Sequence, residues 1–331
     1  MSKIKLGAYI PVYGGSYKHN LQKVNFEILQ NMAQILDENN FDSLWIPDHL
    51  FNAVGSGPSN FASTEDFRKD AFESWTTLSA LSSITKKIKL SNIVTCNLFR
   101  HPSLLAKMAS TLDNISNGRL ILGIGAGWFK PECDAYGIPW KKYHDRVKML
   151  EESLTIINLL WAKNQSSFNG EFYKLDNAYL EPKPIQKPRP KIWVGGCSDR
   201  MINIAAKFGD GIDILANNLF TKDEIKNKIN SFKLAGKNIG RDPDSLSVSH
   251  SCYLIIDPDE RNALKQAQLC ADEIGVSLEN YVNCHLVGTA ESIADKILSF
   301  EKIGVEKILL QLPHSISVTQ NFCDNVVPLL K

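Results

Sequence analysis

Several familiar signatures are missing from this chain of 331 residues. Its seven cysteines are widely spaced and form no C-x-x-C pair. An odd, scattered set points to buried thiols in a reducing compartment rather than to disulfides or a metal site. There is no run of about 18 apolar residues, so no membrane span is expected. The start "MSKIKLGAYI" shows no leader pattern, and a cytoplasmic location is the expectation. Neither sign of charge dominates: 37 Lys and Arg stand against 36 Asp and Glu, for a net charge of +1. These charges are interspersed, which sets aside nucleic acid and anionic membranes and leaves a small molecule as the expected partner. No Gly-Lys-Ser or Gly-Lys-Thr occurs, so a Walker loop is excluded.

Glycine is concentrated in one informative place, "LILGIGAGWF" at 120–129. The dinucleotide fingerprint G-x-G-x-x-G fails there, because its third glycine would fall on Trp128. The segment that follows, "WFKPECDAYGIPW", carries two prolines and reads as a loop rather than the required helix.

Short apolar runs alternate with helical patterns along the whole chain. Strands are expected at 4–10, 43–47, 87–95, 119–125, 191–195, 211–215, 246–256 and 305–311. Helices are expected at 21–39, 72–84, 101–115, 141–162, 199–207, 222–236, 258–273 and 290–302. In the 101–115 helix, Leu104, Met108, Leu112 and Ile115 form the apolar stripe. A hairpin is expected around Asn169-Gly170. The proline-rich "EPKPIQKPRP" at 181–190 is an extended connector, and the β/α alternation runs unchanged across it. Eight β/α units without a break in composition describe a single (β/α)8 barrel over residues 1–331.

In such a barrel the active site lies at the C-terminal ends of the strands. Those ends gather Tyr9 and Pro11, Asp48 and His49, then Thr95, Cys96 and Asn97 with Arg100 close behind. Gly125, Ala126, Gly127 and Trp128 follow, and then Gly195, Gly196, Cys197 and Ser198. His49, beside a carboxylate, can exchange protons near neutral pH, or it can be a satisfied turn histidine. "VGGCS" opens a helix, where free N–H groups can hold a phosphate, or where Ser198 simply caps the helix. The glycines of 123–127 either admit a flat ligand or relieve crowding inside the barrel. Trp128 can wall a ring system, or it can simply be packing. No pair of His or carboxylate groups has metal-ligand spacing, so no metal is expected.

The stretches "FDSLWIPDH", "VTCNLFRHPSLLAKMASTLDNISNGRLILGIGAGW", "AYGIPW", "EPKPIQKPRPKIWVGGCSDRMINIAAKFGDGID" and "GTAESIADKILSFEKIGVEKILLQL" together resemble the bacterial-luciferase-like superfamily of flavin-dependent oxidoreductases. The resemblance runs nearly end to end and is greatest to the branch that uses the deazaflavin coenzyme F-420. It implies a TIM barrel with the cofactor ring over the strand ends. It also implies a backbone irregularity, often a non-proline cis peptide, at Asn92-Ile93. By the same resemblance Asn92, Ile93, Thr95, Asn97 and residues 125–128 border the ring, and residues 195–198 hold the phosphate arm. His49 would manage the substrate proton, held by Asp48. One departure is Trp128, which stands where sugar-phosphate dehydrogenases of this kind carry an acid. The implied activity is hydride transfer between F-420 and a small organic substrate. The alternatives are an FMN-dependent monooxygenase and a non-catalytic flavin-binding barrel. The resemblance leaves a homodimer open.

Overall fold

The structure is a computed structural model and describes residues 3–13, 17, 23–51, 70–215 and 219–331. Most of the segment 51–71, between the second expected strand and the helix that follows it, lies outside these residues, as does the start of the helix expected from 21.

In chain order the elements are β1 (Lys5–Tyr9), α1 (Phe26–Glu38), β2 (Ser43–Ile46), α2 (Ser74–Ile84), β3 (Lys89–Asn92), β4 (Thr95–Cys96), α3 (Pro102–Ile115) and β5 (Ile121–Gly125). Next come α4 (Lys130–Ala135), α5 (Tyr143–Ala162), β6 (Ser166–Asn169), β7 (Lys174–Ala178), β8 (Lys191–Gly195), α6 (Asp199–Phe208), β9 (Gly211–Leu215) and α7 (Lys222–Asn238). The chain continues through β10 (Ser247–Ile256), α8 (Glu260–Ile274), α9 (Leu278–Cys284), β11 (Leu286–Gly288), α10 (Ala290–Glu301), β12 (Lys307–Gln311) and α11 (Ile316–Asn325).

The main sheet runs β3-β2-β1-β12-β10-β9-β8-β5-β4, with β11 beside β10. All of its pairs are parallel, while β6 and β7 form a separate antiparallel hairpin. Leu90 bridges to Leu120, which brings the two ends of the path together into a nearly closed barrel. The expected eight strands differ at two places: the strand expected over 87–95 is interrupted and becomes β3 and β4, and β11 is a short strand that was not expected.

Alternation along the strands divides the side chains into two layers. Leu44, Ile46, Leu122, Ile124, Ile192 and Val194 face the helices. Trp45, Ile121, Trp193 and Leu309 fill the barrel, with Ile93 packed on them. At the barrel's lower end Lys307 pairs with Asp42 at 2.5 Å and lies 5.6 and 5.0 Å from the Trp45 and Trp193 ring centres. Burial draws the Lys307 ammonium below its ordinary pKa, and Asp42 opposes that shift.

Helix starts follow local chemistry. Asn25, Ser198, Ser277 and Thr289 cap with their side chains, and Thr221 and Glu224 form a capping box. The buried face of α3 corrects half of the expected stripe. Leu112 is buried and Met108 packs on the core, but Leu104 and Ile115 are exposed, and Leu105, Ala106, Ala109, Ser110 and Asp113 are buried. Small residues on that face allow close packing on α5, where the Trp161 indole donates to the Ala106 carbonyl. The 181–190 connector is tied to the same helix: Gln186 donates to Asp113, and Asn114 to the Lys183 carbonyl.

The interruption between β3 and β4 decides the shape of the upper barrel. The non-proline cis peptide there is Ile93–Val94, one residue beyond the expected Asn92-Ile93. It places Val94 over β5 and β8. A Cβ on Gly125 would sit 2.7 Å from Val94 Cγ2, and one on Gly195 would sit 2.6 Å from it. A Cβ on Gly123 would meet the Asn92 carbonyl oxygen at 1.9 Å. Of the two readings of this glycine run, these contacts bear out relief of crowding at Gly123 and Gly125, and a flat ligand above Val94 is compatible with them. Gly123→Ala is expected to cost more than about 4 kcal/mol, because the obstacle is backbone and cannot turn aside. Gly137→Ala, with φ +67° and open space around it, should cost only about 1–2 kcal/mol. Denaturant unfolding of the two variants checks this; equal losses would contradict it.

Candidate active site

Asp48 and His49 directly follow β2, and they face different partners. Asp48 is buried and accepts four hydrogen bonds. Its Oδ1 accepts from Ser74 Oγ at 2.6 Å and Arg100 Nη2 at 3.0 Å; its Oδ2 accepts from the Cys96 N–H at 2.9 Å and Arg100 Nη1 at 2.6 Å. Arg100 also reaches Glu73 at 2.5 Å. Asp48 thus joins the ends of β2 and β4 to the start of α2, and its acceptor sites are used. The expectation that Asp48 holds the imidazole is corrected.

His49 is held by Glu132. Its Nδ1 lies 2.9 Å from Glu132 Oε2, while Glu132 Oε1 accepts the Leu50 N–H at 2.7 Å and the Phe51 N–H at 3.4 Å. Glu132 is only 1 % exposed. A carboxylate can only accept, so Nδ1 carries the proton and Nε2 is left as the basic nitrogen. Glu132 stands on α4, in the segment whose prolines suggested a loop. Pro131 lies in the first turn of α4, where its missing N–H costs nothing. The available signal was this proline followed at once by an acid, a helix-start pattern.

Around the imidazole are the rings of Trp128 at 5.7 Å, Phe129 at 6.3 Å and Tyr13 at 6.4 Å between centres. Phe129 is buried, whereas Trp128 is 51 % exposed and forms an outer wall. Burial pushes the Cys96 thiol up to about 12, which keeps it protonated.

The remaining candidates divide by face. Ile93, Gly125 and Gly195 are on the barrel side of the wall, under or beside Val94. Asn92 is in register with Ile46 and Thr95 with Ile124, the side that packs on the helices. Both are buried, and neither the Asn92 amide nor Thr95 Oγ1 has a hydrogen-bond partner among the protein groups. The Asn97 N–H donates to the Gly125 carbonyl, which joins the ends of β4 and β5. Ala126 is buried and Gly127 has φ +81°, turning the chain toward Trp128.

At the start of α6, Gly196 has φ +103° and Ser198 accepts the Met201 N–H. Capping by Ser198 is thus present. Its hydroxyl also lies 3.1 Å from the Tyr143 hydroxyl at the start of α5. Tyr143, absent from the sequence-based set, joins two helix N-termini near the half-buried Cys197. The arrangement fits a flat ring over the Val94 shelf, because Gly125 and Gly195 put no side chain there, and an anionic tail at the α6 start. Among the described residues, no group of three His, Cys, Asp or Glu could hold a metal ion, and no helix is long and apolar enough to cross a membrane.

Replacing Glu132 by Gln keeps an acceptor for the Leu50 N–H but presents an amide donor to Nδ1. The His49 proton is then expected on Nε2 instead, which 15N-labelled histidine spectra read directly. Asp48→Asn should leave the His49 tautomer unchanged while destabilising the fold by about 2 kcal/mol, since the half-buried Arg100 loses one of its two charged partners. An unchanged tautomer in Glu132→Gln would contradict the assignment.

Residues 6–281 match the family model for luciferase-like monooxygenases. An FMNH2-dependent dimethylsulfone monooxygenase of Pseudomonas putida is 27% identical to this chain over 362 aligned positions, covering 99% of this chain and 95% of that protein. A pyrimidine monooxygenase of Serratia proteamaculans is 25% identical and covers 99% and 96%. Among solved structures, an F420-dependent secondary alcohol dehydrogenase superposes with a TM-score of 0.83 at 20% identity, covering 100% of both chains. At that identity the likeness concerns the fold. With the match spanning most of its length, the chain belongs to the luciferase-like monooxygenase family and is an enzyme.

Proposed function

We propose that this protein is a reduced-FMN-dependent monooxygenase acting on a small organic molecule. The observation that carries the reading is His49, presented at the barrel mouth by the buried Glu132 with Nε2 left as the basic nitrogen. It is supported by relatives of nearly full coverage whose names specify FMNH2 or monooxygenation. The F-420 reading has only structural neighbours behind it, and those share the fold.

Reduced flavin, when bound, supplies the two electrons with which dioxygen is divided between product and water. The chain's own residues would do the rest. The N–H groups opening α6, with the Ser198 and Tyr143 hydroxyls, would hold the phosphate. Val94 over Gly125 and Gly195 would support the ring. Phe129 and Trp128 would keep bulk water from the reacting side. His49 Nε2 would take up or return a proton, while Glu132 fixes the ring and stabilises the imidazolium.

Anaerobic titration with reduced FMN and, separately, with reduced F-420 tests the cofactor. Reduced FMN is expected to bind at least about tenfold more tightly, a difference of about 1.4 kcal/mol. Tight F-420 binding without FMN binding would return the site to hydride transfer. His49→Ala should slow turnover of a wild-type substrate by about 10²–10⁴-fold and leave the FMN dissociation constant nearly unchanged.

A further inference from the structure

Tyr9 ends β1 on the barrel side. Two residues earlier, a Cβ on Gly7 would meet Leu309, a member of the barrel filling. Tyr9 is therefore aimed at the upper barrel, in register with Trp45 and Gln311. Its hydroxyl bonds the hydroxyl of Tyr13, whose ring faces His49. Among the described residues, neither hydroxyl has a second hydrogen-bond partner.

Counting donors makes this pair informative. Two phenols carry two O–H protons, and the bond between them uses one. The other is open to the mouth, because Tyr13 is only half-buried, so water meets it in the free protein and a ligand that displaces this water must supply an acceptor or leave the donor unpaired at a cost. Burial raises the pKa of both phenols, so they remain donors. The phenol of Tyr253 lies near both, and the carboxylate of Glu132 near Tyr13, and each acts on them electrostatically. A negative charge beside the pair disfavours an anionic ligand. Arg100, whose partner Asp48 precedes His49 in sequence, is already paired with Asp48 and Glu73.

We propose that the Tyr9–Tyr13 hydroxyl pair is a substrate subsite that donates one hydrogen bond to an oxygen of an uncharged substrate, a sulfonyl or carbonyl oxygen, and so seats that substrate against His49. The subsite deepens the proposed monooxygenase reading and rests on it. A substrate lacking the oxygen loses the bond and leaves the donor buried without a partner. Selection by a hydrogen bond of this kind is stronger than selection by apolar fit alone.

The test uses the full-length protein with reduced FMN bound under anaerobic conditions. Calorimetry measures binding of four probes: dimethyl sulfone, uracil, dimethyl sulfide as the oxygen-free analogue, and methanesulfonate as the anion. At least one of the first two is expected to bind, and more tightly than the last two. The double variant Tyr9→Phe/Tyr13→Phe should weaken that probe by about tenfold, while the affinity for dimethyl sulfide and for FMN stays within about twofold. If the double variant does not fold, each single variant should weaken the same probe by about threefold. The subsite is overturned if these variants bind the oxygen-bearing probes like wild type. It is also overturned if wild type binds FMN but neither oxygen-bearing probe, or prefers the anion. Failure of wild type to bind reduced FMN overturns the proposed function itself, a result separate from the other two.

Discussion

Three positions in the barrel wall cannot carry a side chain, and the upper half of the molecule depends on them. At Gly123 the Asn92 carbonyl oxygen occupies the space of a Cβ, and at Gly125 and Gly195 the methyls of Val94 do. This lets the segment between β3 and β4 fold across the top of β5 and β8 instead of continuing along the wall. The result is a low shelf among walls built by Trp128, Phe129 and the tyrosines of β1 and its loop. Any side chain at the three glycines would lift that shelf and separate the strand ends that meet there.

Two buried carboxylates then share the work of the mouth. Asp48 neutralises Arg100 and accepts the Cys96 N–H, so its role is to hold three elements in place. Glu132 accepts two backbone N–H groups and one imidazole, so it places the first residues after β2 and sets which nitrogen of His49 is basic. Adjacent residues in sequence, Asp48 and His49, thus belong to different networks. In a low-dielectric setting a buried carboxylate persists only when donors surround it, and both satisfy that condition.

Much of the fold was legible in the sequence because parallel barrel strands are buried on both faces and read as continuous apolar runs. "SLWI", "ILGIG" and "KILLQ" are of that kind, and each is a strand. What periodicity could not see was a backbone event: the cis bond at Ile93–Val94 splits one expected strand, and no residue type announces it. On α3, counting apolar residues favoured Leu104 and Ile115, but packing chose Ala106, Ala109 and Ser110 for their small size. His49 was visible because it follows a strand end. Its partner was not, since Glu132 lies 83 residues away and only the closed barrel brings them together. The Tyr9–Tyr13 pair was likewise hidden, because a leftover donor is a property of an arrangement rather than of a residue.

The most direct measurement is the structure of the protein with FMN bound. The account predicts the ring lying across Val94 between Gly125 and Gly195. The phosphate should lie at the start of α6 beside Ser198 and Tyr143. His49 should keep Nδ1 on Glu132, with Nε2 facing the reacting edge of the ring, in hydrogen-bond reach or one water away. A ring seated elsewhere, or an imidazole turned from it while still bonded to Glu132, would contradict the account.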